Sequence, residues 1–492
     1  MMENSLQITW NNSTRNIAVT EPTESAVWKS IAQCLPEIPI PNLVKINAGN
    51  YGNAIMQVTA RGKYKRDGTI FSSMYVKVTN HISGLKPSVY PEAYLTCVNP
   101  ESNNYKMYHF MPVEGENEIS SRFDVEFGRI GSAEGEAFGL KKIQEPYDSY
   151  LYWIRYYEKL SKGYRDVSGI MLDRTAKLRR SANSVSSVPV TQASIDLYKL
   201  LISYAKQHVQ ETLVYGDKVT AKQITESKKL WRMLGERKTV AGFNKRLLEL
   251  LSICPRKCFH VEDLLAKTTD DFAGIIAREE DLIKAMEAVY ASESDPEAAK
   301  NFSSSFDRYN IEVYDATEEQ IEHVKSHLGQ LKDQVSHVYR IIPRVQKARF
   351  DTYVKEHGIH DVKELWHGSK NCNWASIVEN GLLLNPNAQI TGKMLGNGIY
   401  FANSSMKSWN YTSYHGTYWA NGQDDIGIMG LYAVAYGNPL HVTTEIRSYE
   451  KDELQKQKYD CVHAHGGYYL RADEIVFYDE AAVCLNYLVI FK

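Results

Sequence analysis

The stretch Leu365–Tyr411, LWHGSKNCNWASIVENGLLLNPNAQITGKMLGNGIYFANSSMKSWNY, decides how the C-terminal part of this chain folds. It carries two compact clusters, Trp366-His367-Gly368-Ser369 and Gly396-Asn397-Gly398-Ile399-Tyr400-Phe401-Ala402. Between them Trp374, Ile377, Val378 and Leu382 recur at helical spacing, which predicts an amphipathic helix within Trp374–Leu384. The stretch therefore reads as a strand ending in His-Gly, a short helix, a Gly-rich loop, and a strand carrying Tyr400. A third cluster, Asp473-Glu474-Ile475-Val476-Phe477-Tyr478-Asp479, reads as a strand with a carboxylate at its start.

The flanking sequence extends the same unit from residue 306 to 492. NIEVYDA and VSHVYRIIPRV read as strands, and RVQKARFDTYVKEHG as a helix. TEEQIEHVKSHLGQLK reads as a helix with Thr317 as its cap and Glu319 in its first turn. IGIMGLYAVAYG is almost continuously apolar, the pattern of a strand covered on both faces. LHVTT and RADEIVFYDEAAVCLNYLVIFK supply the last strands, so 306–492 is a mixed α+β domain.

Upstream, residues 190–300 repeat apolar residues every three and four positions and predict an all-α bundle. Ser194, Thr220 and Asp271 are its expected caps, and Trp231, Leu234, Leu247, Leu251, Ile275, Leu282 and Met286 its expected core. Within it HVEDLLAK reads as one of the helices. Cys254, Cys258 and His260 make half of a metal set at most, with no second Cys/His pair nearby, so no metal is expected. Residues 171–189 are a basic and then Ser-rich linker. Its Lys177-Leu178-Arg179-Arg180 reads as a solvated run or as a weak nuclear import signal. Residues 91–170 are β-rich and close on an aromatic helix over Tyr147–Leu160. Residues 41–90 predict a hairpin turning at Arg66-Asp67-Gly68. Its Arg61, Lys63, Lys65, Arg66 and Lys77 face Asp67 alone, as a solvated face or as a phosphate contact of unknown role. Residues 1–40 read as a loose N-terminal lead-in.

Composition sets the class. A chain of 492 residues with 43% hydrophobic and 24% charged residues is globular and predicts about three domains. No run of about 18 apolar residues is present, and the first residues lack a signal-peptide pattern, so no membrane partner is expected. Seven scattered cysteines form no disulfide framework and suggest a reducing compartment, nucleus or cytoplasm. A formal charge of −2 gives no global pull toward nucleic acid.

His367, Tyr400 and Glu474 each sit on or beside a strand, where a sheet holds side chains rigidly. Phosphate-binding, Rossmann, Ser-elbow and Cys-nucleophile patterns are all missing from the sequence. One His, stacking tyrosines and one carboxylate suit a reaction whose leaving group departs without acid help. Nicotinamide leaving NAD+ is such a group, because the pyridinium is already cationic. The transition state then needs a carboxylate beside an oxocarbenium-like ribose, and aromatic faces around the nicotinamide. Taken singly, each residue has a structural alternative: a satisfied polar His, a core Tyr, an edge-strand Glu.

Residues 365–411 with 474–479 closely resemble the catalytic domain of poly(ADP-ribose) polymerases, whose diagnostic set is His-Tyr-Glu. The resemblance implies that His367 hydrogen-bonds the nicotinamide-ribose 2′-OH, and that Gly368 and Ser408 hold the carboxamide. It implies that Tyr411 and Tyr400 sandwich the ring, that Ser369 and Asn373 lie near the adenosine, and that Lys407 stands beside the catalytic carboxylate. Glu474 would stabilise the oxocarbenium and orient the acceptor hydroxyl; Glu rather than Ile or Leu there is the family's mark of chain elongation. Tyr459-Asp460-Cys461-Val462-His463-Ala464 is similar to the family's Tyr-Asp-Ser-Val before the catalytic strand. Two departures are a shorter segment between Gly437 and Glu474, and Leu383 where some members carry Arg.

Two weaker resemblances lie upstream. Phe127-Gly128-Arg129 with Lys162-Gly163-Tyr164 resembles the WGR module of the DNA-dependent members, with Phe in place of Trp. That module binds broken DNA ends through backbone and terminal phosphate. Val219–Ile224 and Asn244–Leu247 resemble the helical regulatory subdomain of the same members. The resulting expectation is a multidomain α+β ADP-ribosyltransferase. It takes NAD+ as substrate and no metal, and it modifies protein acceptors, itself among them. DNA ends or nicks stimulate it, and it works in the nucleus. A mono-ADP-ribosyltransferase and a catalytically inactive ADP-ribose-binding scaffold are the alternatives.

Overall fold

The computed structural model describes residues 5–10, 13–23, 25–27, 29–30, 43–47, 55–66, 69–80, 90–113, 122–130, 141–142, 147–148, 152–173, 188–214, 216, 219–258, 260–293, 306–384, 394–420, 422–444, 447–468 and 470–492. The chain forms two compact units, residues 1–173 with 257–263 and residues 174–256 with 264–492. Most of the predicted linker, residues 174–187, lies outside the described residues.

The first unit holds two sheets. Strands β1 (Ser5–Trp10), β2 (Ser13–Ala18), β3 (Leu43–Asn47), β4 (Ile55–Arg66) and β5 (Thr69–Asn80) pair in the order β2-β1-β5-β4-β3. Residues 1–40 were expected to be loose, but they contain the β1–β2 hairpin. It is stabilised by a partner remote in sequence, with Leu6 opposite Asn80 and Ile8 opposite Val78 on β5. The β4–β5 hairpin brackets the predicted turn, of which Asp67 and Gly68 lie outside the described residues.

The second sheet contains β6 (Ala93–Asn99), β7 (Asn104–Val113), β8 (Arg122–Arg129), β9 (Lys141–Lys142), β10 (Tyr147–Asp148) and β11 (Arg165–Asp166). Its order is β10-β8-β7-β6-β11, with β9 also on β8. Leu95, Phe110, Phe123 and Val125 are buried on one face with Tyr152 of helix α1 (Tyr152–Ser161). The helix starts later than the sequence suggests because Tyr147 pairs opposite Phe123 as strand. Phe127 stacks on Tyr108 at 5.5 Å, and Arg129 Nη2 donates to Asn103 Oδ1 at 2.8 Å. Lys159 Nζ sits 4.4 Å from the centre of the Tyr108 ring, a cation–π contact.

The second unit begins with four helices: α2 (Gln192–Thr212), α3 (Ala221–Gly235), α4 (Val240–Ile253) and α5 (Asp271–Glu293). Thr220 forms a capping box with Gln223, as its spacing predicts. Ser194 is not a cap; Thr191 caps α2 and receives the Ser194 amide. Asp271 opens α5 and accepts the Lys267 and Thr268 amides, which bends the chain into the helix. The predicted HVEDLLAK helix is only a 3-10 turn, Val261–Leu264. Leu234, Leu247, Leu251, Ile275, Leu282 and Met286 are buried, while Trp231 is half-buried and its indole donates to Ile276 O at 3.0 Å. Arg256 and Glu279 form a buried ion pair.

The region of residues 306–492 is built on two further sheets. Its strands are β12 (Ile311–Asp315), β13 (Val335–Pro343), β14 (Val362–Gly368), β15 (Ile399–Phe401), β16 (Gly427–Ala435), β17 (Pro439–Val442), β18 (Cys461–Ala464), β19 (Glu474–Phe477) and β20 (Val483–Phe491). One sheet runs β12-β13-β20-β16-β14 and the other β15-β19-β18-β17. Its helices are α6 (Glu318–Ser326), α7 (Arg344–Glu356), α8 (Trp374–Asn380), α9 (Ser405–Trp409) and α10 (Lys451–Lys456). Strand β16 is buried at eight of nine positions, matching its apolar run. Helix α8 stops at Asn380, with Gly381 at φ +80°, short of the predicted Leu384. It is buried on every side from Trp374 to Glu379, because α2 and α5 pack on the face that the sequence pattern leaves open.

Candidate active site

The two sheets of the C-terminal region meet at one backbone bridge. Trp366 N donates to Ala402 O at 3.0 Å, and Ala402 N donates to Trp366 O at 3.1 Å. This bridge sets His367, one residue on from Trp366, beside Tyr400 on β15. His367 Nδ1 lies 3.0 Å from Tyr400 O. A carbonyl only accepts, so Nδ1 carries the proton, and in the neutral ring that leaves Nε2 as the acceptor.

Tyr400 donates its hydroxyl to Gly396 O at 2.8 Å and accepts the Leu395 amide at 3.1 Å. Burial raises its phenol pKa most, with Glu474 and Tyr411 adding to it, so the ring stays neutral. Gly396, at φ +92°, approaches Tyr449 so closely that a Cβ would fall 2.7 Å from the Tyr449 carbonyl oxygen. The Gly-rich loop therefore owes its glycines to close backbone approach beneath Tyr400.

Strand β15 pairs with β19, Tyr400 opposite Val476, and β19 opens with Glu474. Lys407 on α9 holds the Glu474 carboxylate, Nζ to Oε1 at 2.8 Å, and the pair is largely buried at 16% and 15% side-chain exposure. The same ammonium donates to Ala472 O at 2.7 Å and Asp473 O at 3.2 Å. One cation thus fixes both the carboxylate and the backbone that presents it.

Gly368 and Ser408 stand against each other. A Cβ at Gly368 would lie 1.9 Å from Ser408 O, so no larger residue fits without moving backbone. Ser408 is buried, and its hydroxyl donates to Trp366 O at 3.0 Å. Gripping a carboxamide oxygen requires that hydroxyl to rotate. Tyr411 is 41% exposed and stacks at 6.2 Å on Trp419, itself 56% exposed.

Ser369 and Asn373 are tied together, Asn373 Nδ2 donating to Ser369 Oγ at 3.1 Å. Asn373 Nδ2 also donates to Asp281 Oδ1 of helix α5 at 2.8 Å. Lys370 Nζ meets the other oxygen of Asp281 at 2.9 Å. Burial disfavours the Lys370 ammonium, but Asp281 outweighs it and raises its pKa. Leu383 is 53% exposed.

The structure thus brings His367, Gly368, Tyr400, Lys407, Ser408 and Glu474 onto four neighbouring elements, β14, β15, α9 and β19, around the Trp366–Ala402 bridge. Ser369 and Asn373 lie on the bundle side of the same strand end. The sequence reading passed over Asp281 and Trp419. Asp281 sits in a Glu-Glu-Asp run that looks like a solvated helix face. Trp419 had a usable signal, an aromatic pair, Tyr418-Trp419, inside a polar loop.

Residues 312–483 match the family model described as the poly(ADP-ribose) polymerase catalytic domain. A poly(ADP-ribose) polymerase of Sarcophaga peregrina is 32% identical over 138 residues, 27% of this chain and 13% of its own length. Poly(ADP-ribose) polymerase 2 of Arabidopsis thaliana is 34% identical over 117 residues, 24% of this chain and 17% of its own. Poly(ADP-ribose) polymerase 2 of Homo sapiens is 42% identical over 80 residues, 16% of this chain and 13% of its own. The matched stretch therefore spans less than a fifth of each of these relatives. Residues 312–483, about a third of the chain, are thus similar to the poly(ADP-ribose) polymerase catalytic domain.

Proposed function

We propose that this protein is an NAD+-dependent ADP-ribosyltransferase that releases nicotinamide and builds poly(ADP-ribose) on protein acceptors, itself among them. The observation that carries this reading is the placement of His367, Tyr400 and Glu474 on three neighbouring strands, with Lys407 fixing Glu474. In the proposed reaction the ribose C1′–N bond breaks and its electron pair neutralises the pyridinium. Glu474 stabilises the oxocarbenium, and its carboxylate draws the proton from the acceptor hydroxyl or carboxyl as the new C1′–O bond forms. His367 Nε2 accepts from the ribose 2′-OH. Gly368 and Ser408 hold the carboxamide, and Tyr400 and Tyr411 flank the ring. Ser369 and Asn373 serve the adenosine side. Glu474, rather than an apolar residue, favours elongation over single transfer.

Regulation by DNA ends is part of the same proposal. Residues 91–170 act as a WGR-like module, 190–300 as a helical regulatory bundle, and 306–492 as the catalytic domain. Asp281 of the bundle already engages Asn373 and Lys370, so a shift of α5 changes the adenosine side of the site. A nuclear location follows from this reading. The test is nicotinamide release by the full chain, with product length on a gel, with and without nicked 5′-phosphorylated DNA. Release stimulated by DNA with long products supports the whole reading. Release that ignores DNA retains the transferase and removes the regulation, and no release in either condition refutes the enzyme.

A further inference from the structure

We infer that His441, His463 and His465 form a binding site for a divalent zinc-class cation, with Asp473 beside two of them, next to the strand that carries Glu474. The three imidazoles offer ligand atoms that all lie within 4.8 Å of one another. Strand geometry puts them there. His441 on β17 is the direct register partner of His463 on β18, in a parallel pair. His465 lies two residues beyond His463, hence on the same face, and its amide is held by Val442 O at 2.8 Å. Asp473 immediately precedes β19, which runs antiparallel to β18 with Glu474 opposite Ala464.

The polar atoms converge. His441 Nδ1 and His465 Nε2 are 2.8 Å apart, and Asp473 Oδ2 is 3.0 Å from His463 Nε2 and 3.6 Å from His465 Nδ1. The rings of His463 and His465 stack at 4.3 Å. Tyr436 OH contacts His463 Nδ1 at 2.6 Å, and Gly466 N donates to Asp473 Oδ1 at 2.7 Å. These are the outer contacts that orient an imidazole and a carboxylate toward an ion.

Three imidazole nitrogens, with the fourth position left to water or the Asp473 carboxylate, suit tetrahedral zinc rather than calcium or magnesium, which take oxygen ligands. Ligand atoms around such an ion sit about 3.4 Å apart, which small ring rotations reach from the present spacing. A second cluster, His323, His327 and Glu364, is a weaker candidate. It offers only two imidazoles, both of them exposed, against three in the first site. An ion there would tie β17 to the end of β18, the strand paired with the one that opens at Glu474. The inference does not depend on the transferase reading.

The test uses tag-free full-length protein, stripped with a chelator and titrated with Co2+ and then Zn2+. The expected result is one Co2+ per chain with the visible absorption of a tetrahedral nitrogen-ligated ion, displaced by Zn2+, and a rise in Tm with Zn2+. A His441→Ala/His465→Ala variant, altered at a surface edge, should weaken Zn2+ binding by on the order of 100-fold or more. A His323→Ala/His327→Ala variant should bind as the native chain does. Failure to bind a stoichiometric ion overturns the inference. So does binding that survives the first variant or is lost in the second.

Discussion

Lys407 on helix α9 holds Glu474 on strand β19, ammonium to carboxylate at 2.8 Å, while donating to the carbonyls of Ala472 and Asp473. The pair is enclosed enough that its geometry is fixed rather than averaged. Lys407→Met removes the clamp, so that Glu474 keeps its charge but loses its fixed position. Turnover is expected to fall about 100-fold, as for a misplacement of about 1 Å, with KM for NAD+ little changed. Lys407→Arg should recover part of the loss. Steady-state nicotinamide release checks both variants.

Gly368→Ala places a methyl against the Ser408 carbonyl, at a 1.9 Å separation that only backbone movement relieves. Overpacking of this kind costs about 1–3 kcal/mol. The expected outcome is a lowered denaturation midpoint together with loss of nicotinamide binding. A variant of native stability that still binds nicotinamide contradicts the assignment.

Asp281→Ala cuts the two side-chain ties that helix α5 makes to the segment after β14, to Asn373 at 2.8 Å and to Lys370 at 2.9 Å. Lys370 is 37% exposed, so solvent screening keeps the cost small, about 1 kcal/mol. If the bundle restrains the site, that loss raises DNA-independent nicotinamide release roughly fivefold. Unchanged release with a lowered midpoint assigns Asp281 to stability alone.

His208 on α2 sets a pH limit on the bundle. Its Nε2 is buried without a hydrogen-bond partner, and burial lowers its pKa below 6.5, Asp281 and Glu211 working against that shift and Lys370 and Arg256 with it. The folded state then binds the proton less readily than the unfolded chain. Its contribution to stability is present above pH 6.5 and is lost as pH falls below it, at up to about 1.4 kcal/mol per pH unit. Urea midpoints at pH 7.5 and 5.5 should diverge less in His208→Leu than in the native chain. Equal divergence refutes the assignment.

Much of the site was legible because its signals are local. The apolar run of β16, the His-Gly end of β14 and the carboxylate opening β19 each lie within a few residues. What escaped was non-local. The β1–β2 hairpin is specified by its pairing with β5, about 70 residues away, so no periodicity within residues 1–40 announces it. Helix α8 looks amphipathic, yet α2 and α5 cover its polar side. Asp281 resembles any solvated acid until α5 is laid beside Asn373. His441 and His463 meet only because β17 and β18 pair in parallel register.

The most direct test of the central claim is Glu474→Gln, which keeps the shape of the side chain and removes its charge. Nicotinamide release from NAD+ and product length should be measured beside the native chain. The account predicts a native-like denaturation midpoint, release lowered by about 10²–10³-fold, and products reduced to single units. Undiminished release with long products would show that Glu474 does not carry the reaction.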